Sequence, residues 1–155
     1  MLTTPHLLVG AAIGSQFNNP ILIATTAAAS HFVLDSIPHL GFVVANGKIG
    51  VQWKVQDLDK KDIGLVAGDV LLGISLLTIL TWNNPKIELM LLGAFCAFLP
   101  DFHHTLQVLF GPEKLKRYTK LHLKFHYKKP MRLLPGMLTQ VMAVLVAILV
   151  VLSQS

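Results

Sequence analysis

Charge is scarce in this chain. Only 14% of its 155 residues are Asp, Glu, Lys or Arg, where a soluble domain carries about 25%. That shortage argues against an ordinary soluble domain. Cysteine is nearly absent as well. The single Cys96 excludes an internal disulfide and a thiolate metal site. It lies among Gly93, Ala94 and Ala97 and reads as a packed core thiol. The N-terminus lacks the basic stretch of a cleaved signal peptide, so none is expected. What abounds is apolar surface: 53% of residues are hydrophobic and the mean hydropathy is +0.60. The expected class is all-α, an integral membrane bundle of about five helices in one domain, 1–155.

Five apolar segments can be read, with starts at Pro5, Pro20, Asp62, Pro85 and Pro135. They run to about Phe17, Ile37, Trp82, Phe110 and Leu152. Crossing a bilayer takes about 20 apolar residues. The third and fourth segments meet that length, and the second and fifth nearly do. The first falls short and is expected either to cross only partly or to be buried by its neighbours. Proline suits a helix start, where its missing N–H costs nothing.

The basic residues are concentrated. Of 13 Lys and Arg, 12 fall in two polar stretches, 41–62 and 111–134. The second holds eight, including Lys114, Lys116, Arg117 and Lys120, against Glu113 alone. The positive-inside rule places both stretches in the cytoplasm. The stretch 111–134 also reads as a basic amphipathic helix on a membrane surface, with Leu115, Tyr118, His122 and Phe125/His126 on one face.

The chain contains an internal repeat. His6-Leu7-Leu8-Val9-Gly10 resembles Asp69-Val70-Leu71-Leu72-Gly73. Phe17-Asn18-Asn19-Pro20 resembles Trp82-Asn83-Asn84-Pro85. Leu34-Asp35 followed by His39 resembles Pro100-Asp101 followed by His103 and His104. Two helical hairpins are expected, 5–39 and 66–110, followed by the basic segment 111–134 and a transmembrane helix 135–152. Each hairpin enters and leaves on one side of the bilayer. That places all seven histidines at the cytoplasmic face.

Histidine and carboxylate gathered at one depth is what a metal site needs. His31 and Asp35 share a helix face one turn apart, and Pro38 ends that helix and returns His39 beside them. Pro100 and Asp101 are costly in an apolar helix unless they have a use. The expected ligands are His6, His31, Asp35, His39, Asp101, His103 and His104. Asp69, His122 and His126 are candidates to complete the shell or to act as general acid and base. Lys116, Arg117 and Lys120 are candidates to hold a substrate phosphate. For each group a plainer reading competes: a helix-end Asp–His pair, a kinked helix with a polar end, or a surface helix.

A donor set of His and Asp without thiolate suits a divalent metal, zinc first, with manganese or iron as alternatives, in one or two ions. Such ions activate water and clamp phosphoryl oxygens. The expected function is metal-assisted hydrolysis of a phosphoester or another polar lipid head group. The rivals are a metal or proton carrier, a bis-histidine haem protein, and an adaptor that binds lipid or a partner through its basic helix. The expected partners are the lipid bilayer and a phosphorylated or lipid-derived substrate, with no nucleic acid.

Leu99-Pro100-Asp101-x-His103, and the early His6 ahead of a glycine-containing apolar helix, resemble the YdjM-like family of bacterial membrane-bound metal-dependent hydrolases. More distantly, the all-helical His/Asp site is similar to the zinc-dependent phospholipase C group. The resemblance implies a hydrolase of the bacterial inner membrane. The family carries its L-P-D run in an early helix, whereas here the early helix carries Ser30-His31-x3-Asp35-x2-Pro38-His39.

Overall fold

The repeated Asn-Asn-Pro sequences set where two helices begin. In this computed structural model, residues 1–39, 60–102, 106, 110, 115–127 and 132–154 are described. Helix α1 spans Thr3–Gln16 and α2 spans Pro20–Ser36. Asn19 accepts the N–H of Ile21 at 2.9 Å and of Leu22 at 3.2 Å. These are first-turn amides with no partner inside the helix. Helix α3 spans Lys60–Thr81 and α4 spans Ile87–Phe98. Between them Asn83 adopts φ 60°, a left-handed conformation that Asn tolerates better than most residues. Asn84 then accepts the N–H of Lys86 at 2.9 Å. Both turns therefore use an asparagine side chain bonded to the amide two residues on.

Proline also ends helices. Ile37, ahead of Pro38, is extended at φ −72°, ψ 143°, the conformation a following proline favours, and α2 stops one residue earlier. The fourth apolar segment does not continue as one helix to Phe110. It ends at Phe98, and a 3-10 turn, Leu99–Asp101, follows. Pro100 supplies no N–H to the α-helical ladder, so the chain tightens there. The basic stretch contributes α5, Lys116–Phe125, and the last helix, α6, spans Leu133–Leu152. The described residues hold six α-helices and no strand.

Helix α1 is the centre of the bundle. At 14 residues and about 1.5 Å per residue it is about 21 Å long, too short to cross a bilayer alone. Helices α2, α3, α4 and α6 pack around it. Leu7, Leu8, Ala11 and Ala12 of α1, Met90 and Ala94 of α4, and Ala147 and Val151 of α6 form the buried core. Contact between α1 and α4 is backbone against backbone. A Cβ at Gly10 would land on the Gly93 carbonyl, and one at Gly14 on the Leu89 carbonyl. Only glycine permits that approach.

Two helical stretches, Ile63–Thr81 and Leu134–Leu152, are long and apolar enough to cross a membrane. Their outer faces carry Leu65, Leu71, Leu72, Ile74, Ile79, Leu138, Val141, Leu145 and Leu149, all exposed. A surface this apolar is normally covered by something other than water.

Candidate metal centre

The polar residues of the interior collect at one end of the bundle, where α1 begins and α2 and α4 end. Thr3 and Thr4 open α1, and their amides donate to the Asp69 carboxylate at 2.6 and 3.3 Å. The Thr4 hydroxyl donates to the Asp69 carbonyl at 2.8 Å. Asp69 thus supplies a carboxylate to the positive end of α1. This engagement accounts for its burial, and it does not belong to either group of potential ligands described below.

One turn into α1, His6 stacks on His31 with ring centroids 4.1 Å apart. His6 and His31 are both fully buried, and Asp35 is 1% exposed. Asp35 Oδ1 lies 3.3 Å from His6 Nε2 and also meets the Met1 amino nitrogen. Asp35 Oδ2 faces the other way. It lies 3.2 Å from His31 Nε2 and 3.2 Å from His122 Nε2. Asp101 Oδ1 completes the ring, 3.5 Å from His31 Nε2 and 3.6 Å from His122 Nε2. The 3-10 turn after Phe98 places Asp101 there. His122 arrives from α5, which folds back so that Thr119 and His122 are buried while Lys116, Arg117, Lys120 and Lys124 are exposed. Contacts of Phe32 with Phe125 and His122, at 5.4 and 5.7 Å between ring centroids, hold α5 on α2. The Tyr127 amide donates to the Asp35 carbonyl at 2.8 Å.

The spacing of these four side chains has a physical meaning. An N–H···O bond to a carboxylate is about 2.7–2.9 Å long. The four distances here are 3.2, 3.2, 3.5 and 3.6 Å. His31 Nε2 and Asp35 Oδ2 are buried and make no hydrogen bond. Donors about 2.0–2.1 Å from a tetrahedral ion stand about 3.3–3.4 Å from one another. These separations are compatible with a coordination shell.

The tautomers agree. His31 Nδ1 lies 2.8 Å from the Ala97 carbonyl. A carbonyl only accepts, so Nδ1 carries the hydrogen. On a neutral ring this leaves a bare lone pair on Nε2, aimed at two carboxylate oxygens. Lone pair against lone pair is repulsive unless a cation stands between them. Orientation of a ligating imidazole by its other nitrogen is the usual support of a metal site. His31, Asp35, Asp101 and His122 could hold a metal ion.

A second group adjoins the first. Asp35, His39 and His126 bring one ligand atom each within 4.8 Å of the others. His126 Nε2 lies 3.9 Å from Asp35 Oδ2, and the His39 and His126 rings are 4.8 Å apart. Both rings have Nδ1 against a backbone carbonyl, that of Ile37 at 2.7 Å and that of Tyr127 at 3.2 Å. Burial holds the His39 imidazole down at about 4 and lowers His126 below its ordinary value. Both rings are therefore neutral near pH 7, the form that binds metal.

Of the expected ligands, His31, Asp35, His39 and Asp101 occupy these two groups. His6 touches the far oxygen of Asp35. His103 and His104 lie outside the described residues. His122 and His126, candidates to complete the shell or to act as acid–base groups, each belong to one of the two groups that could hold an ion. Lys116, Arg117 and Lys120 are exposed on α5. Sequence reasoning missed the carbonyls of Ala97, Ile37 and Tyr127, which orient the rings. Backbone groups carry no residue-type signal, so nothing in the sequence pointed to them.

No protein-family model, no curated protein and no solved structure matches the chain.

Proposed function

We propose that this protein is a membrane-embedded, metal-dependent hydrolase of phosphoester or polar-lipid substrates. The observation that carries the proposal is the cluster of His31, Asp35, Asp101 and His122, whose ligand atoms lie within 4.8 Å of one another, with His–Asp distances of 3.2–3.6 Å. Each buried polar atom left without a partner costs about 1–3 kcal/mol. His31 and Asp35 both carry such atoms. A bound divalent ion removes that cost and supplies Lewis-acid chemistry. The His/Asp donor set favours zinc, with manganese or iron as alternatives.

The surroundings support this substrate class. Asp101 and His126 are partly exposed, 21% and 26% at their side chains, so solvent reaches the edge of the cluster at both. The exposed lysines and arginine of α5 lie on the helix that carries His122, and their field attracts anions. An apolar groove lined by Val9, Thr26, Ala29, Ser30, Val33 and Leu34 runs between α1 and α2 beside the turn that carries His31. A phosphate on an apolar chain satisfies both features. In the reaction a water oxygen bonds to phosphorus and the ester P–O bond breaks. The leaving alcohol takes one water proton and the other passes to solvent.

The charge distribution supports an orientation. The protein crosses the inner membrane of a bacterium several times, with the metal centre at the cytoplasmic end. The concentration of Lys and Arg in 41–62 and 111–134 supports that sidedness. The resemblance of Leu99-Pro100-Asp101-x-His103 to the YdjM-like hydrolases is consistent with it.

The test is metal analysis of detergent-purified protein together with turnover of short-chain phospholipids and prenyl phosphates. Metal-bearing protein that releases phosphate or alcohol supports the proposal. Protein that carries no metal, and gains none from zinc, manganese or iron, overturns it and leaves a lipid-binding adaptor. Metal without turnover leaves a metal-binding or carrier protein, a reading favoured by the nearly complete burial of His31 and Asp35.

A further inference from the structure

We infer that Asp35 is shared between two ions of unlike coordination: a closed site of His31, Asp35, Asp101 and His122, and an open site of Asp35, His39 and His126. The inference rests on the metal-centre reading above and assigns a different role to each half. Only Asp35 belongs to both groups. It is placed to be shared, since its carboxylate is 3.2 Å from His122 Nε2 and 3.9 Å from His126 Nε2. His122 and His126 are one helical turn apart at the end of α5, with ring centroids 6.0 Å apart. Two ions bound by paired ligands of this kind stand about 3.5–4 Å apart.

The ligand counts separate the roles. Four protein donors saturate a tetrahedral ion, which is how structural sites are built. Three protein donors leave a position for water or a substrate oxygen, which is how catalytic sites are built. Exposure does not separate the two: each group has one partly exposed ligand, Asp101 at 21% and His126 at 26%, so the division rests on ligand number. The backbone carbonyls of Ile37 and Tyr127 engage Nδ1 of His39 and His126, leaving Nε2 of each ring as the nitrogen available to an ion. This division assigns substrate to the open site, and the closed site holds the end of α2, the turn after α4 and α5 together.

The experiment is manganese loading of the purified full chain, read by metal stoichiometry and electron paramagnetic resonance. About two ions per chain are expected, and two manganese ions at this separation give an exchange-coupled spectrum. His39→Ala and His126→Gln should each reduce the stoichiometry to about one and restore the spectrum of an isolated ion, because the four-ligand site remains. His126 is the safer variant, since its side chain is partly exposed. The wild-type spectrum also decides without any variant. One ion per chain with no coupling overturns the shared-carboxylate inference and leaves the single-metal hydrolase standing. Two ions that survive both substitutions place the second ion elsewhere and also overturn it. No ion at all overturns both readings.

Discussion

The carboxylate of Asp35 meets the imidazole of His122 at 3.2 Å, although α3 and α4 separate their helices in the chain. The tertiary fold therefore assembles the centre from α2, α5 and the turn after α4. These candidate ligands therefore come together only when the whole arrangement forms.

Removing Asp101 should empty the four-ligand site. Asp101→Ala takes away one of two carboxylates and with it the charge that alanine cannot supply. We expect loss of the ion held by His31 and His122 and loss of hydrolysis, with membrane insertion intact, since removing a charge favours insertion. Metal stoichiometry and carbonate extraction of membranes measure the two outcomes. An Asp101→Ala protein with wild-type metal content would remove this residue from the coordination shell.

Asp69 should behave as a structural residue. Asp69→Ala deprives Thr3 and Thr4 of an acceptor at the start of α1, a loss comparable to that of a helix cap, about 0.5–2 kcal/mol. Thermal unfolding in detergent should show a lower midpoint while the folded protein keeps its full metal content. Complete loss of metal with an unchanged midpoint would return Asp69 to the catalytic group.

The glycine contact between α1 and α4 should not tolerate a side chain. Gly10→Val drives methyl groups into the Gly93 carbonyl. Overpacking costs about 1–3 kcal/mol where side chains can yield, and here the obstacle is backbone. We expect a large drop in unfolding midpoint and reduced metal content, because the Ala97 carbonyl that orients His31 belongs to α4. Wild-type stability in this variant would show that the helices are not in backbone contact.

The basic face of α5 should act through its field. Lys120→Ala, on the exposed side, is expected to raise KM for an anionic substrate at low salt, with metal stoichiometry unchanged. The difference should shrink at about 1 M salt, where the Debye length falls to about 3 Å. A KM change that is insensitive to salt would instead indicate direct contact with substrate.

Local sequence determined the elements of this protein. Asn19 and Asn84 with their prolines mark the starts of α2 and α4, and Pro38 the end of α2, because these residues act on amides within a few positions of themselves. The apolar runs 63–81 and 134–152 were legible for the same reason, since composition and length suffice. The pairing of His31 with Asp35 was legible too, being a spacing on one helix. The break at Pro100 was legible as a cost, but its effect, a 3-10 turn that brings Asp101 to His31, was not. Tertiary structure alone decided that His122 joins Asp35 and Asp101, that Asp69 serves the start of α1, and that His6 stacks on His31. The first depends on α5 folding back over α2, the second on α3 packing against α1, and the third on α1 packing against α2. Those contacts join residues far apart in the chain, so neither helical period nor motif spacing encodes them.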